Sequence, residues 1–264
     1  MTAIGVFDSG VGGLTVAREI MRQLPNETIY YFGDVKNCPY GDKNQEEILE
    51  YSIKVVDFLV KQGIKMLVIA CNTATSAALS YFEEKLDIPV VGVVIPGARR
   101  AIQFTENNKV LVLGTYFTTH SKIYDKEIAE INSDILVWDK ACPTFVPFIE
   151  AEGYYNSEDT KNLVANELAG TKVLGMDTVI LGCTHYPILK KDIENYYGSK
   201  IKVISSGRET AREVSVVLTY NKLHQKKSEK KPHKFFISEP SNNFENIASK
   251  WLNREIKAQV IDLD

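Results

Sequence analysis

The chain has 264 residues, 44% hydrophobic and 25% charged, a composition that predicts an ordinary soluble globular protein long enough for one large core or two smaller ones. Its 31 basic and 34 acidic side chains leave a formal charge of −3, which argues against attraction to nucleic acid or to a membrane surface. The opening residues carry no basic segment followed by a long apolar run, and no apolar stretch reaches spanning length. The four scattered cysteines make no disulfide framework, so the expected location is a reducing cytoplasm.

Residues 3–7 read as a buried strand, Asp8-Ser9-Gly10-Val11-Gly12-Gly13 as a glycine-rich turn, and the segment from about 14 to 24 as a helix. A second strand over 28–32 opens into a loop carrying Cys38, Pro39, Tyr40 and Gly41. Apolar residues at 48, 51, 55, 58 and 59 recur at helical spacing, which predicts a helix over 45–62 closed by Gly63. A strand over 65–70 delivers Cys71, and a helix over about 75–86 follows. After the apolar run 89–94, Pro96-Gly97 is expected to break the chain. Then come a helix over 98–104, a strand over 109–113, a hydroxyl-rich loop over 114–121 entering another helix, a strand over 135–138 and a helical turn over 146–152. A helix over 157–169, capped by Ser157, leads to the strand over 177–181 that delivers Cys183. The remainder reads as a helix to about 197, a strand over 201–204, a helix over 209–224 and a solvated lysine-rich connector over 225–231. A strand over 235–237, a helix over 244–252 and the segment 260–263 complete the chain.

This alternation argues for α/β architecture with mainly parallel sheets. In such folds ligands bind beyond the carboxyl ends of the strands, where Asp8, Asp34, Cys71, Thr115 and Cys183 all fall. Ile69-Ala70-Cys71-Asn72-Thr73 and Leu181-Gly182-Cys183-Thr184-His185 look like two copies of one device. Val90-Val91 follows Cys71 by 19 and 20 residues, and Val203-Ile204 follows Cys183 by 20 and 21, as in a pseudo-repeat.

Two thiols so placed suggest a pair of acid/base groups facing one substrate, each next to a helix N-terminus expected to lower its pKa. Cys38 and Cys142 have no matching context and read as small buried hydrophobes. The turn after Asp8 lacks both the lysine of a phosphate loop and the spacing of a dinucleotide loop. It fits a carboxylate or amino-acid ligand, with Ser9 and loop N–H groups on the anion and Asp8 taking a cation or a proton. His185 could act as base, proton donor or ligand, and Glu150, in an apolar setting, could support His185 or a thiol. No usual zinc spacing is present. On these residues alone, a thiol hydrolase using one cysteine with His185, and an amino-acid binding module, stand beside the two-thiol enzyme.

Taken together, Asp8-Ser9-Gly10 with Gly12-Gly13, Pro39-Tyr40-Gly41, Cys71-Asn72-Thr73, Gly114-Thr115 with Thr118 and Ser121, and Gly182-Cys183-Thr184-His185-Tyr186-Pro187 resemble the glutamate racemases, over essentially the whole chain. That resemblance implies two similar α/β domains with mainly parallel sheets flanked by helices, here 1–96 plus 208–264 and 97–207, with the active site in the crevice between them. It makes Cys71 and Cys183 the catalytic pair, Cys71 acting on D-glutamate and Cys183 on L-glutamate, helped by Asp8, Glu150 and His185. Substrate contacts fall on Asp8, Ser9, Pro39, Tyr40, Gly41, Asn72 and Thr73, and on Thr115, Thr118, Thr184 and His185. No pyridoxal phosphate, other cofactor or metal is implied. The expected partner is glutamate, the expected assembly a homodimer, and the expected role the supply of D-glutamate for peptidoglycan.

Overall fold

A computed structural model of the chain describes residues 2–226, 228 and 230–263. The first half runs β1 (Ala3–Asp8), α1 (Leu14–Gln23), β2 (Thr28–Gly33), α2 (Gln45–Lys61), β3 (Ile64–Ile69), α3 (Asn72–Lys85), β4 (Val90–Gly92) and α4 (Val94–Phe104). It continues through β5 (Lys109–Gly114), α5 (Tyr116–His120), α6 (Ile123–Ile131), β6 (Leu136–Ala141), α7 (Phe145–Glu150), α8 (Ser157–Glu167), β7 (Thr178–Gly182), α9 (Lys190–Tyr197) and β8 (Lys202–Ser205). The tail adds α10 (Gly207–Tyr220), β9 (Lys234–Ile237), α11 (Asn242–Leu252) and β10 (Gln259–Val260).

Two parallel sheets result, ordered β10-β9-β2-β1-β3-β4 and β6-β5-β7-β8. The quartets β2-β1-β3-β4 and β6-β5-β7-β8 have the same order, so the matched spacing after the two cysteines corresponds to β3–β4 in one sheet and β7–β8 in the other. Helices cover both faces of each sheet, which is why stretches such as 66–69, 110–113 and 179–181 read as unbroken apolar runs. Along β1 and β3, Ile4, Val6, Met66 and Val68 enter one core, while Phe7, Leu67 and Ile69 enter the core on the other face. In the second sheet Leu111, Leu113, Val179 and Leu181 point one way, and Val110, Val112 and Ile180 the other. No helix among the described residues is long and apolar enough to cross a membrane.

Several local expectations are corrected. Pro96-Gly97 does not break the chain but lies in the first turn of α4, where a proline's missing N–H has no helical partner to lose. Helix α3 begins at Asn72 rather than near 75, because Cys71 itself caps it. Asn156, not Ser157, caps α8 by accepting the Glu158 N–H at 3.1 Å. The helix expected over 209–224 runs from Gly207 to Tyr220. The link after it is solvated as expected at Lys226, Lys230 and Lys231, all exposed, but its first residue is anchored: Gln225 is buried, accepts the Thr28 N–H and donates its own N–H to Glu27. Lys227 and Glu229 of that link lie outside the described residues, as do Met1 and Asp264.

Candidate active site

Strand register brings the reactive loops to one level. Asp8 pairs with Gly33, and Phe7 with Ile69, so the loops after β1, β2 and β3 open side by side. In the second sheet Gly114 pairs with Gly182, which aligns Thr115 with Cys183. These carboxyl ends meet around one small cavity. Ser9, Cys38, Pro39, Tyr40, Gly41, Cys71, Asn72 and Thr73 border it from the first sheet's side, and Thr115, Val146, Cys183, Thr184 and His185 from the second's. The two sides come close at two glycines. A Cβ at Gly12 would collide with His185 Nδ1 and lie 2.6 Å from Thr184 Oγ1, and one at Gly41 would lie 2.6 Å from Thr115 Cβ.

Cys71 sits where β3 gives way to α3. Its Sγ accepts the Ala74 N–H at 3.4 Å and donates to the Ser9 hydroxyl at 3.6 Å. The Ala74 N–H at the helix N-terminus favours the thiolate, but the thiol as a whole is raised, contrary to expectation. Complete burial and the Asp8 charge outweigh the Ala74 and Ser9 contacts and push Cys71 up to about 12, so it holds its proton at neutral pH.

Cys183 has a different partner set. Its Sγ lies 3.8 Å from His185 Nδ1, and His185 Nε2 lies 2.6 Å from Glu150 Oε1. The chain Cys183–His185–Glu150 thus joins the end of β7 to the last residue of α7, whose apolar Phe145, Val146 and Ile149 are buried and fix the carboxylate's approach. Asn243 of α11 donates to the Glu150 carbonyl, which ties this chain back to the first sheet's helices.

Asp8 lies behind the cavity wall rather than on it, fully buried at 0% exposure. It accepts the Gly10 N–H at 3.0 Å and the Thr184 hydroxyl at 3.1 Å. The glycine turn was expected to offer its N–H groups to a ligand, but Gly10 spends its own on Asp8, because a buried carboxylate needs donors. Burial still raises the Asp8 carboxyl, against the lowering effects of His185, Gly13, Gly10 and Thr184. Thr118 and Glu150 also stand behind the wall, Thr118 bonding Thr115 at 3.1 Å and Thr73 at 3.3 Å. Every other predicted site residue borders the cavity.

Three features escaped the sequence reading. Cys38, taken for a core residue, is on the cavity wall, and its place directly before Pro39-Tyr40-Gly41 was the available signal. Asp34 anchors that loop by accepting the Tyr40 hydroxyl at 2.6 Å and the Asn37 amide. Tyr124 donates to Asn72 Oδ1 at 2.7 Å across 52 positions of sequence, a pairing no local pattern encodes. Cys142 is, as expected, buried in the second sheet's core.

Burial by itself would depress His185, but its hydrogen bonds to Cys183 and Glu150 and the Glu150 charge hold it well above its ordinary 6.5. A histidine raised in the folded state contributes stability that is complete below its unfolded value and is lost as pH rises through the folded one. The melting temperature should therefore fall, relative to His185→Asn, as pH climbs above about 6.5, and Glu150→Gln should move that fall to lower pH. Thermal melts of the three proteins over this range check the assignment; parallel profiles would contradict it.

Two parallel sheets with matched strand order, each delivering a cysteine to one cavity, define an α/β protein with a paired-thiol site. The sequence model of the Asp/Glu/Hydantoin racemase family matches residues 4–214, and the chain belongs to that family. A glutamate racemase of Staphylococcus aureus is 49% identical over 261 residues, covering 99% of this chain and 98% of the relative. Among solved structures, a glutamate racemase of Bacillus anthracis superposes with a TM-score of 0.93 at 42% identity, covering 99% of this chain and 98% of the other. One from Francisella tularensis, solved in complex with D-glutamate, gives 0.91 at 32% identity, covering 100% and 98%.

Proposed function

We propose that this chain interconverts L- and D-glutamate by a two-thiol transfer of the α-proton, without pyridoxal phosphate or another cofactor. The observation that carries this reading is the arrival of Cys71 and Cys183, from equivalent strand ends of two like-ordered sheets, at one cavity. Inversion at carbon needs a base on one face and an acid on the other. As a thiolate, one sulfur takes the α-proton, and the C–H electron pair is left on the α-carbon beside the carboxylate. The other sulfur then delivers its proton from the opposite side. For the reverse reaction the two exchange roles, Cys71 abstracting from D-glutamate and Cys183 from L-glutamate.

The surrounding groups suit these steps. Asn72 and Thr73 offer donors to the substrate carboxylates, and the cavity's enclosure strengthens them as negative charge develops. His185 can hold or return a proton at Cys183, oriented by Glu150. Cys71 needs relief from the Asp8 charge before it can act as base, and the substrate's ammonium group, entering beside these groups, supplies an opposing positive charge. The printed names of the relatives support glutamate as the substrate. Assembly as a homodimer, a cytoplasmic location and the use of D-glutamate for peptidoglycan rest on the family resemblance.

Incubation with L-glutamate in heavy water, followed by polarimetry and by the α-proton NMR signal, tests the proposal. Decay of optical rotation together with deuterium at the α-carbon is the expected result. The Cys183–His185–Glu150 chain also has the order a thiol hydrolase would use, and a thioester on Cys183 seen by mass spectrometry, with no exchange at the α-carbon, would favour that reading instead.

A further inference from the structure

Asn72 is 2% exposed and borders the cavity, yet its amide is only half used. Its Oδ1 accepts the Tyr124 hydroxyl at 2.7 Å, whereas Nδ2 has no hydrogen-bond partner among the described residues. Buried amide donors are rarely left unpaired, and an unpaired one beside a ligand cavity is a donor waiting for an acceptor. Tyr124, 1% exposed, belongs to α6 on the second sheet's side, while Asn72 opens α3 on the first's. Two glycines make room for its ring: a Cβ at Gly97 would stand 3.2 Å from the hydroxyl, and one at Gly182 would stand 3.2 Å from Cε2. Packing therefore locates the ring, and its one hydroxyl proton goes to the carbonyl end of Asn72.

We propose that Tyr124 is the positioning residue for Asn72. By engaging Oδ1 it fixes the amide so that Nδ2 faces the substrate's α-carboxylate, and it does so from the opposite sheet, so the donor is oriented only while the two halves are apposed. This inference rests on the racemase reading above and adds to it the residue that sets the donor's direction. A turned-over amide would present a carbonyl oxygen to the carboxylate, which repels it, and would leave the phenol proton without this acceptor.

Tyr124→Phe keeps the ring and removes only the hydroxyl. With wild-type turnover of glutamate established first, the variant should lose about tenfold in kcat/KM in both directions, mostly through KM. Asn72→Ala should lose at least as much. In the Asn72→Ala background, adding Tyr124→Phe should cost less than about twofold more, because the phenol acts through the amide. The double variant leaves neither end of this hydrogen bond buried and unpaired, so its comparison with Asn72→Ala carries the test even if Tyr124→Phe alone fails to fold by circular dichroism. An unchanged KM in Tyr124→Phe, or losses that simply add, would overturn the positioning role. A wild type silent toward glutamate would instead overturn the racemase reading, and this inference with it, before any variant is compared.

Discussion

Replacing Cys183 by alanine is expected to abolish racemisation in both directions, with a loss of at least about a thousandfold in kcat/KM, close to 4 kcal/mol of transition-state stabilisation. The loss is large because no other described group at the cavity borders it with a sulfur supplied by the second sheet: Cys38 and Cys71 both come from the first. Water cannot substitute easily, since the cavity is small and enclosed by the loops that meet at Gly12 and Gly41. Cys71→Ala should be equally severe. Serine at either position keeps a hydrogen-bonding group of similar shape but a far weaker acid, so a trace of activity at most is expected. Initial rates from L- and from D-glutamate, measured by circular dichroism, decide the matter. Near-normal turnover by Cys183→Ala would end the two-thiol scheme.

Gly12→Ala is expected to cost about a hundredfold or more in kcat/KM, although it touches neither sulfur. The added methyl would overlap His185 Nδ1 and crowd Thr184 Oγ1. Both atoms belong to the loop that carries Cys183, and Thr15 Oγ1, three residues beyond Gly12, holds the same loop by donating to the Thr184 carbonyl at 3.0 Å. Relief requires the loop after β7 to retreat from the loop after β1, which separates His185 from its place and loosens Thr184 from Asp8. Gly63→Ala serves as the control. Its φ of +80° makes a side chain strained, but open space surrounds it, so stability should drop by about 1 kcal/mol with activity intact. Kinetics and denaturation of the two variants together separate a local clash at the site from general destabilisation. Wild-type activity in Gly12→Ala would mean that the contact between the two loops does not hold the site together.

The α/β class was legible because strands buried on both faces are mostly apolar, and runs such as 66–69 and 179–181 have no other use. The position of each cysteine followed from the same signal, since the run ends at the residue before the loop. Less local facts were not legible. Pro96 looked like a stop because proline usually punctuates, but in a first helical turn it obeys the same chemistry without ending anything. The thiol of Cys71 was expected to be acidic from its helix N-terminus alone. What opposes it, burial and the Asp8 carboxylate 63 positions earlier, depends on what surrounds the sulfur in space.

The sequence by itself determined the alternation of strands and helices, the two cysteine-bearing loops and the near-equal spacing that marks equivalent halves. These are properties of contiguous residues, set by hydrophobic period and turn chemistry. Only the tertiary structure decided which carboxylate each thiol lives with, that Glu150 reaches His185, that Gly12 has no room for a methyl, and that Tyr124 holds Asn72 from the other sheet. Those facts turn on distances between segments far apart in the chain, and such distances are set by how the two sheets close on each other rather than by any local preference.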